Sequence, residues 1–422
     1  MATYKEQNKL NVPHLRFPEF HGEWEKCKLG ELAVKVGSGS TPKGGNAVYT
    51  TSGHCFVRSQ NVGMGHLILN DIAYIDESTH QKQKSTELRT NDVLLNITGA
   101  SIGRTALATE EINGGNVNQH VCIIRTNGNV EPSYICDYIQ TSKIQKYIQS
   151  LQTGGSREGL NFEQIRSFPI NIPTVEEQVK IAKLLSLINE RIATQSKLIE
   201  DLKKLKSAIV EKVFCSPNQE YPMCRIEGFE QALSTYKMSD FSSRIATKNK
   251  DSKCSLVLTI AAQYGLVNQE SFFNKSVASE NLTGYYLLHK GEFAYNRSYS
   301  AGYDWGTVKR LDNYDEGVLS TLYICFKTNE TIVDSDYLAY YFESTKWHRG
   351  LSDIAGEGAR NHGLLNVSMA DYFNTKHRFP VIEEQKTIAK ILNAITEKER
   401  KATMLGECYQ KQKQYLLCQM FT

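Results

Sequence analysis

The chain has 422 residues, 40% of them hydrophobic and 23% charged, with 49 basic against 46 acidic side chains and a formal net charge of +3. That length predicts two or three domains rather than one core. The charge balance excludes a dominant polybasic or acidic tail. No apolar run reaches the roughly 18 residues of a membrane span, and the first residues lack the apolar core of a secretory leader. A cytoplasmic protein is expected.

In chain order, residues 1–29 read as an N-terminal segment. Residues 30–172 read as a first globular domain with short β-branched and aromatic runs such as Val121–Arg125, bounded by Gly, Asn and Ser clusters. Within it, apolar spacing predicts a helix over Pro132–Leu151. Residues 173–214 form a central helical region, and 215–235 a linker. Residues 236–379 form a second globular domain, with a strand at Thr321–Phe326 and a helix over Asp334–Leu351. Residues 380–422 form a distal helical region.

The two helical regions repeat. Residues 173–191, PTVEEQVKIAKLLSLINER, and 380–398, PVIEEQKTIAKILNAITEK, share ten identities in nineteen positions at an offset of 207. Weaker echoes keep the same order: Pro13-x-x-Arg16 with Pro222-x-x-Arg225, Asn91–Asn96 with Gly291–Asn296, and Gly155-Ser-Arg157 with Gly358-Ala-Arg360. The chain therefore reads as a tandem of two similar halves, each a globular domain followed by a long helix. The Glu-Glu pairs sit in the first helical turn, where carboxylates complement the helix dipole. Leu185, Ile188, Ile192, Gln195, Ile199 and Leu202 then alternate by three and four. So do Ile388, Leu392, Ile395, Glu399 and Ala402, with a slip near Gly406 before Leu405, Tyr409 and Leu416. This is a coiled-coil seam, and two helices of such length are expected to pair with one another.

Catalytic chemistry is not legible. The ten cysteines include no C-x-x-C pair, which disfavours structural zinc. No Pro-Pro dipeptide occurs, so the Asn/Asp-Pro-Pro-aromatic loop that holds a flipped adenine is absent. The Gly37–Gly45 loop lacks the ending of a P-loop. Asp371 with Glu384-Gln385-Lys386 suggests nuclease carboxylates, but the repeat carries Glu177-Gln178-Val179 without the lysine. No catalytic residue, metal ligand or cofactor site is assigned.

Two variable domains alternating with near-identical helices that open Pro-x-x-Glu-Glu-Gln-x-x-Ile-Ala-x-x-Leu resemble the specificity (S) subunits of type I restriction–modification systems. Leu15–Phe20 with Trp24, Phe56–Val62, Asn96–Arg104, Asn118–Val121, Gly302–Gly306 and Gly317–Ser320 also resemble that family. The resemblance implies an α/β (α+β) fold: two target-recognition domains and two long helices paired as an antiparallel coiled coil, with a pseudo-twofold internal repeat. Residues 1–29 should meet the C-terminal region. It implies a non-catalytic subunit whose domains each read half of a bipartite, asymmetric double-stranded DNA target while the helices fix the spacer. Implied partners are two methyltransferase (M) subunits using S-adenosylmethionine and two restriction (R) subunits using ATP and Mg, with no cofactor in this chain and no membrane. A coiled-coil scaffold without DNA readout and a subunit serving a methylation-only system are the alternative readings.

Reader residues are sought among loop Arg, Lys, Gln, Asn and aromatic side chains, which bond base edges or stack. The first domain offers Lys43, Arg58, Gln60, Asn61, Arg104, Asn118, Gln119 and Arg157. The second offers Gln263, Tyr264, Arg297, Tyr299, Tyr303, Trp305, Lys309 and Arg360. Charge does not single out either domain: residues 30–172 hold 12 basic and 12 acidic side chains, and residues 236–379 hold 16 of each.

Overall fold

The structure is a computed structural model and describes residues 10–44, 48–152, 159–274, 281–298, 302–354, 360–361, 364–365 and 367–421. The chain forms two compact units that do not follow chain order. The first comprises residues 1–196 with 404–422, the second residues 197–403.

In the first unit a four-stranded antiparallel sheet has the spatial order Ala33–Ser38, Val121–Thr126, Val93–Asn96, Thr105–Leu107. A smaller sheet places His54–Val57 between Ala73–Ile75 and Asn116–Val117. Glu25–Lys28 pairs with Pro169–Ile172 and closes the domain where it begins and ends. The second unit repeats this order with Ser242–Arg244, Ile324–Thr328, Phe293–Asn296 and Thr307–Arg310, and closes with Ser234–Lys237 on Lys376–Phe379. It adds a hairpin, Leu258–Ala261 with Gly265–Asn268, and the pair Tyr286–His289 with Glu316–Leu319. Nearly all of this pairing is antiparallel, so the domains are α+β in the strict sense.

Both helices expected inside the domains are broken. Pro132–Gln140 and Ser142–Gln152 meet at Thr141, whose backbone is extended and whose Oγ1 donates to the Tyr138 carbonyl at 2.7 Å. That side-chain bond competes with the helix ladder. Ser344 Oγ does the same to Tyr341 at 2.6 Å, between Ser335–Tyr341 and His348–Ser352.

The long helices are Val175–Val213, of 39 residues, and Ile382–Gln419, of 38, about 58 Å each at 1.5 Å per residue. Within the first unit, Ile181, Leu185 and Ile188 of the central helix share a core with Leu416, Leu417, Met420 and Phe421 from the far end of the chain. Within the second, Val210 and Phe214 share a core with Ile388, Ala389 and Leu392. The start of one helix thus packs with the end of the other, the antiparallel pairing expected. The slip read at Gly406 is not there, because the distal helix continues through it. Leu405 is exposed instead, and the inward row runs Ala402, Gly406, Tyr409, Lys413, Leu416 in unbroken heptad spacing. A glycine and a lysine on the seam disguised it.

The repeat extends to individual bonds. Leu15 N–H donates to the Gln419 carbonyl at 2.8 Å, and Cys224 N–H donates to Lys212 at 3.0 Å. Phe421 packs on Tyr134 and Tyr138, and Phe214 on Tyr337 and Tyr341. The N-terminal segment therefore caps the distal helix as the linker caps the central one.

Candidate nucleic-acid interface

The repeated helix opening has a structural explanation that its spacing did not reveal. Glu177 and Glu384, the second carboxylate of each pair, are 0% and 2% exposed. Arg16 grips Glu177 through Nε and Nη2, both at 2.8 Å, and Arg225 grips Glu384 at 3.0 and 2.8 Å. The helix dipole therefore faces Glu176 and Glu383, while Glu177 and Glu384 are bidentate arginine partners. Gln178 Oε1 accepts from Glu131 N–H while its Nε2 donates to the Pro173 carbonyl, both at 2.9 Å. Gln385 makes the same two bonds, with Asp334 and Pro380, at 2.9 Å. Asp371 meanwhile bonds Ser368 at the start of its own short helix. Among the described residues no cluster of three or more His, Cys, Asp or Glu side chains is placed to hold a metal.

In the first unit the predicted loops converge on one end of the main sheet. Asn96, at the end of strand Val93–Asn96, donates through Nδ2 to the Ser59 carbonyl at 2.8 Å. Its backbone N–H donates to Arg104, and Ile97 N–H donates to His120. Asn118 N–H reaches back to Val57. The Gly39–Gly44 loop joins them because Gln119 Oε1 accepts from the amide and hydroxyl of Thr41. Gly39 permits this: a Cβ there would overlap the Val117 carbonyl. Thr98 bridges to Gly159, and Leu160 N–H donates to Ile97, so residues following the Gly-Ser-Arg stretch arrive beside the same loops. Arg157 itself lies outside the described residues.

The candidates divide by what already holds them. Lys43 and Arg104 are exposed without a side-chain hydrogen bond among the described residues, and each is free to meet a phosphate or a base edge. Gln60 and Gln119 are exposed but already engaged: Gln60 Nε2 donates to Asp71 at 2.6 Å, while Gln119 Oε1 accepts from Thr41 N–H at 2.9 Å and its Nε2 meets His120 Nε2 at 3.0 Å. Arg58 sits over Tyr49 and donates to the Asp71 carbonyl at 2.8 Å. Asn61 and Asn118 brace their own loops. Both are buried; Asn61 bonds Arg58 N–H and the Ile68 carbonyl, and Asn118 Oδ1 accepts from His120 N–H.

In the second unit Arg297 is also a brace, donating to the carbonyls of Val367 at 3.2 Å and Leu322 at 3.3 Å. Those bonds draw together loops equivalent to the ones in the first unit. Gly306, in the left-handed region at φ 76°, lies so close to the Asn296 carbonyl that a Cβ would overlap it. Trp305 packs on the core while its carbonyl accepts the Tyr295 hydroxyl at 2.9 Å. Tyr303 is half-buried beside it. Burial lowers the pKa of Lys309, and the charges it senses are Glu343 and, on the central helix, Lys206. Gln263 and Tyr264 are exposed at the hairpin turn. Tyr299 lies outside the described residues, as does the side chain of Arg360, whose backbone pairs with Leu365.

Sequence reasoning missed a basic run in the second unit: Arg244, Lys248, Lys250 and Lys253 against a single acid, Asp251. Arg244, Lys250 and Lys253 are exposed. Averaging charge over the domain concealed it, although local clustering is what phosphate contact requires.

These features define a class: a tandem α+β protein with a heptad-paired helical frame and two differing loop ends. The family pattern for the type I restriction modification DNA specificity domain matches residues 21–204. The assigned specificity subunit of the type I restriction enzyme MjaX from Methanocaldococcus jannaschii is 22% identical over 420 residues, covering 94% of this chain and 92% of that one. The EcoBI specificity subunit of Escherichia coli is 25% identical over 130 residues, 30% of this chain and 27% of its own. The crystal structure of a type I S subunit from M. genitalium shares the fold at a TM-score of 0.58 and 15% identity, covering 97% of this chain and 99% of that chain. A chain from a structure of type I system assembly and conformational transition matches at 0.52, also 15% identical, over 94% and 97%. Together these likenesses support a specificity subunit of a type I restriction–modification system. No helix among the described residues is long and apolar enough to cross a membrane.

Proposed function

We propose that this chain is the DNA-reading subunit of a type I restriction–modification complex and that each globular domain reads one half of a bipartite, asymmetric target. The observation that carries this reading is a shared frame with unshared loops. Sheet order, the arginine–glutamate grip and the helix-cap bonds recur in both units, whereas the first offers Lys43, Arg104 and Gln119 and the second offers Gln263, Tyr264 and Tyr303. Equivalent platforms carrying different donors and acceptors read different bases. The helices, each longer than the roughly 34 Å turn of B-DNA, set the unread spacer and dock the partner subunits. Two methyltransferase subunits carry S-adenosylmethionine and methylate adenine N6, and two restriction subunits use ATP and Mg; this chain holds no cofactor. The complex works in a bacterial or archaeal cytoplasm.

Selection from a randomised duplex library by the chain co-purified with its methyltransferase subunits tests the reading. Two short fixed blocks separated by an unread gap of constant length are expected. An assembled complex that enriches no motif contradicts it and favours a scaffold.

A further inference from the structure

Tyr264, Phe272 and Phe273 make an exposed aromatic knuckle on the second unit. They are 68%, 45% and 45% exposed. The ring centroids lie 6.4 Å apart for Tyr264 and Phe272, and 5.0 Å apart and nearly perpendicular for Phe272 and Phe273. Among the described residues of the first globular domain, only Phe162 is an aromatic of comparable exposure.

The fold holds the knuckle out firmly. The hairpin pairs Leu258 with Asn268 through Ala261 with Gly265, and its three-residue turn is tied by Tyr264 N–H donating to the Ala261 carbonyl at 3.0 Å. Gly265 follows at φ 84°, the left-handed position that such a turn requires. The short helix Gln269–Phe273 is capped by Asn268 Oδ1, which accepts from the Glu270 and Ser271 amides. Gln269 N–H is anchored on the Val257 carbonyl at 2.9 Å. Three rings are thus kept in water by a well-bonded scaffold, against the usual preference for burying such surface.

Their place indicates what they meet. Thr259 Oγ1 lies 3.2 Å from the Tyr323 hydroxyl, so the hairpin runs past the Ser320–Tyr323 loop. Arg297 holds that same loop through Leu322, itself 62% exposed. The strand that leads into the knuckle's turn therefore passes a loop of the candidate interface. Three rings bordered by the amides of Gln263 and Gln269 are far smaller than the roughly 800 Å² per partner of a stable protein interface. They match the apolar wedges that enter an opened base step and the aromatic faces on which bases stack.

We propose that this knuckle is a wedge for duplex DNA: Tyr264 and Phe272 occupy an opened base step inside the half-site read by the second unit, distorting that half-site and not the other. This rests on the DNA-reading function proposed above. The test uses the co-purified complex and a duplex carrying its library-selected motif, with 2-aminopurine placed in turn at positions other than the methylated adenines. Wild type should raise the fluorescence severalfold at one step of the second half-site. Tyr264→Ala and Phe272→Ala should abolish that rise and weaken binding about tenfold, the scale of one lost base–aromatic stack. Tyr264→Trp, which keeps a stacking face, should restore both. A selected motif with flat fluorescence in wild type, or alanine variants that bind and fluoresce like wild type, would overturn the wedge while leaving DNA reading intact. Alanine variants that fail to co-purify with the methyltransferase would overturn it by assigning the knuckle to a protein contact. If wild type selects no motif, the DNA-reading function fails first and the wedge with it.

Discussion

At the scale of single residues, the most consequential contacts join positions far apart in sequence. Arg16 and Arg225 were visible as an echo, yet their partners lie about 160 residues away, and no spacing rule links them. Arg16→Ala would leave Glu177 buried and unpaired, which costs about 3 kcal/mol. A corresponding fall in the chemical-denaturation midpoint is expected, with Arg16→Ala/Glu177→Leu less damaged than the single variant; wild-type stability for Arg16→Ala would contradict the grip. A second buried group predicts a pH effect. Burial pushes the Asp137 carboxyl up to about 7 from an ordinary 3.8, against the attraction of Lys413 and the Gln140 hydrogen bond. Lys413, whose Nζ donates to Gln140 Oε1 at 2.8 Å, is lowered by the same burial. Between pH 4 and 7 the folded chain keeps a proton on Asp137 that the unfolded chain has lost. Its contribution is complete below about pH 4 and disappears as pH rises through 7. Asp137→Asn, always neutral, should lose less stability than wild type between pH 5 and 8 in paired melts, and parallel curves would contradict the assignment. Reader and brace were not separable at this scale from sequence, because Asn61 and Asn118 have the same chemistry in either role and only burial distinguishes them.

At the scale of elements, the helices were the most legible part, since a duplicated nineteen-residue block and heptad spacing declare themselves. The misreading at Gly406 arose because Gly406 and Lys413 occupy seam positions without being apolar. Lys413 and its repeat counterpart Lys206 each leave the seam to meet a domain, at Gln140 and Glu343. The breaks at Thr141 and Ser344 were hidden because a hydroxyl's bond to the preceding turn leaves the apolar periodicity intact. The glutamine after each Glu-Glu pair pins the helix start to the domain. Gln385→Ala would leave Asp334 N–H and the Pro380 carbonyl without this partner, at about 1–3 kcal/mol. The expected outcome is a lower melting temperature with the helix content of the folded chain unchanged, and an unaltered melt would show that the pin carries no stability.

At the scale of the whole molecule, the proposed function gives each of the two duplicated domains its own half of the target. Replacing residues 236–379 with the equivalent domain of another such subunit should alter one half of the recognised motif and leave the other half and the gap unchanged. The tandem architecture was legible from sequence, whereas the loop ends were not, because the aligned order of strands reveals nothing of which loops meet. The most direct measurement is to co-express the chain with its methyltransferase subunits and map N6-methyladenine genome-wide. A bipartite, asymmetric motif that vanishes when this chain is omitted is the predicted result; an assembled complex that methylates no new motif would contradict the account.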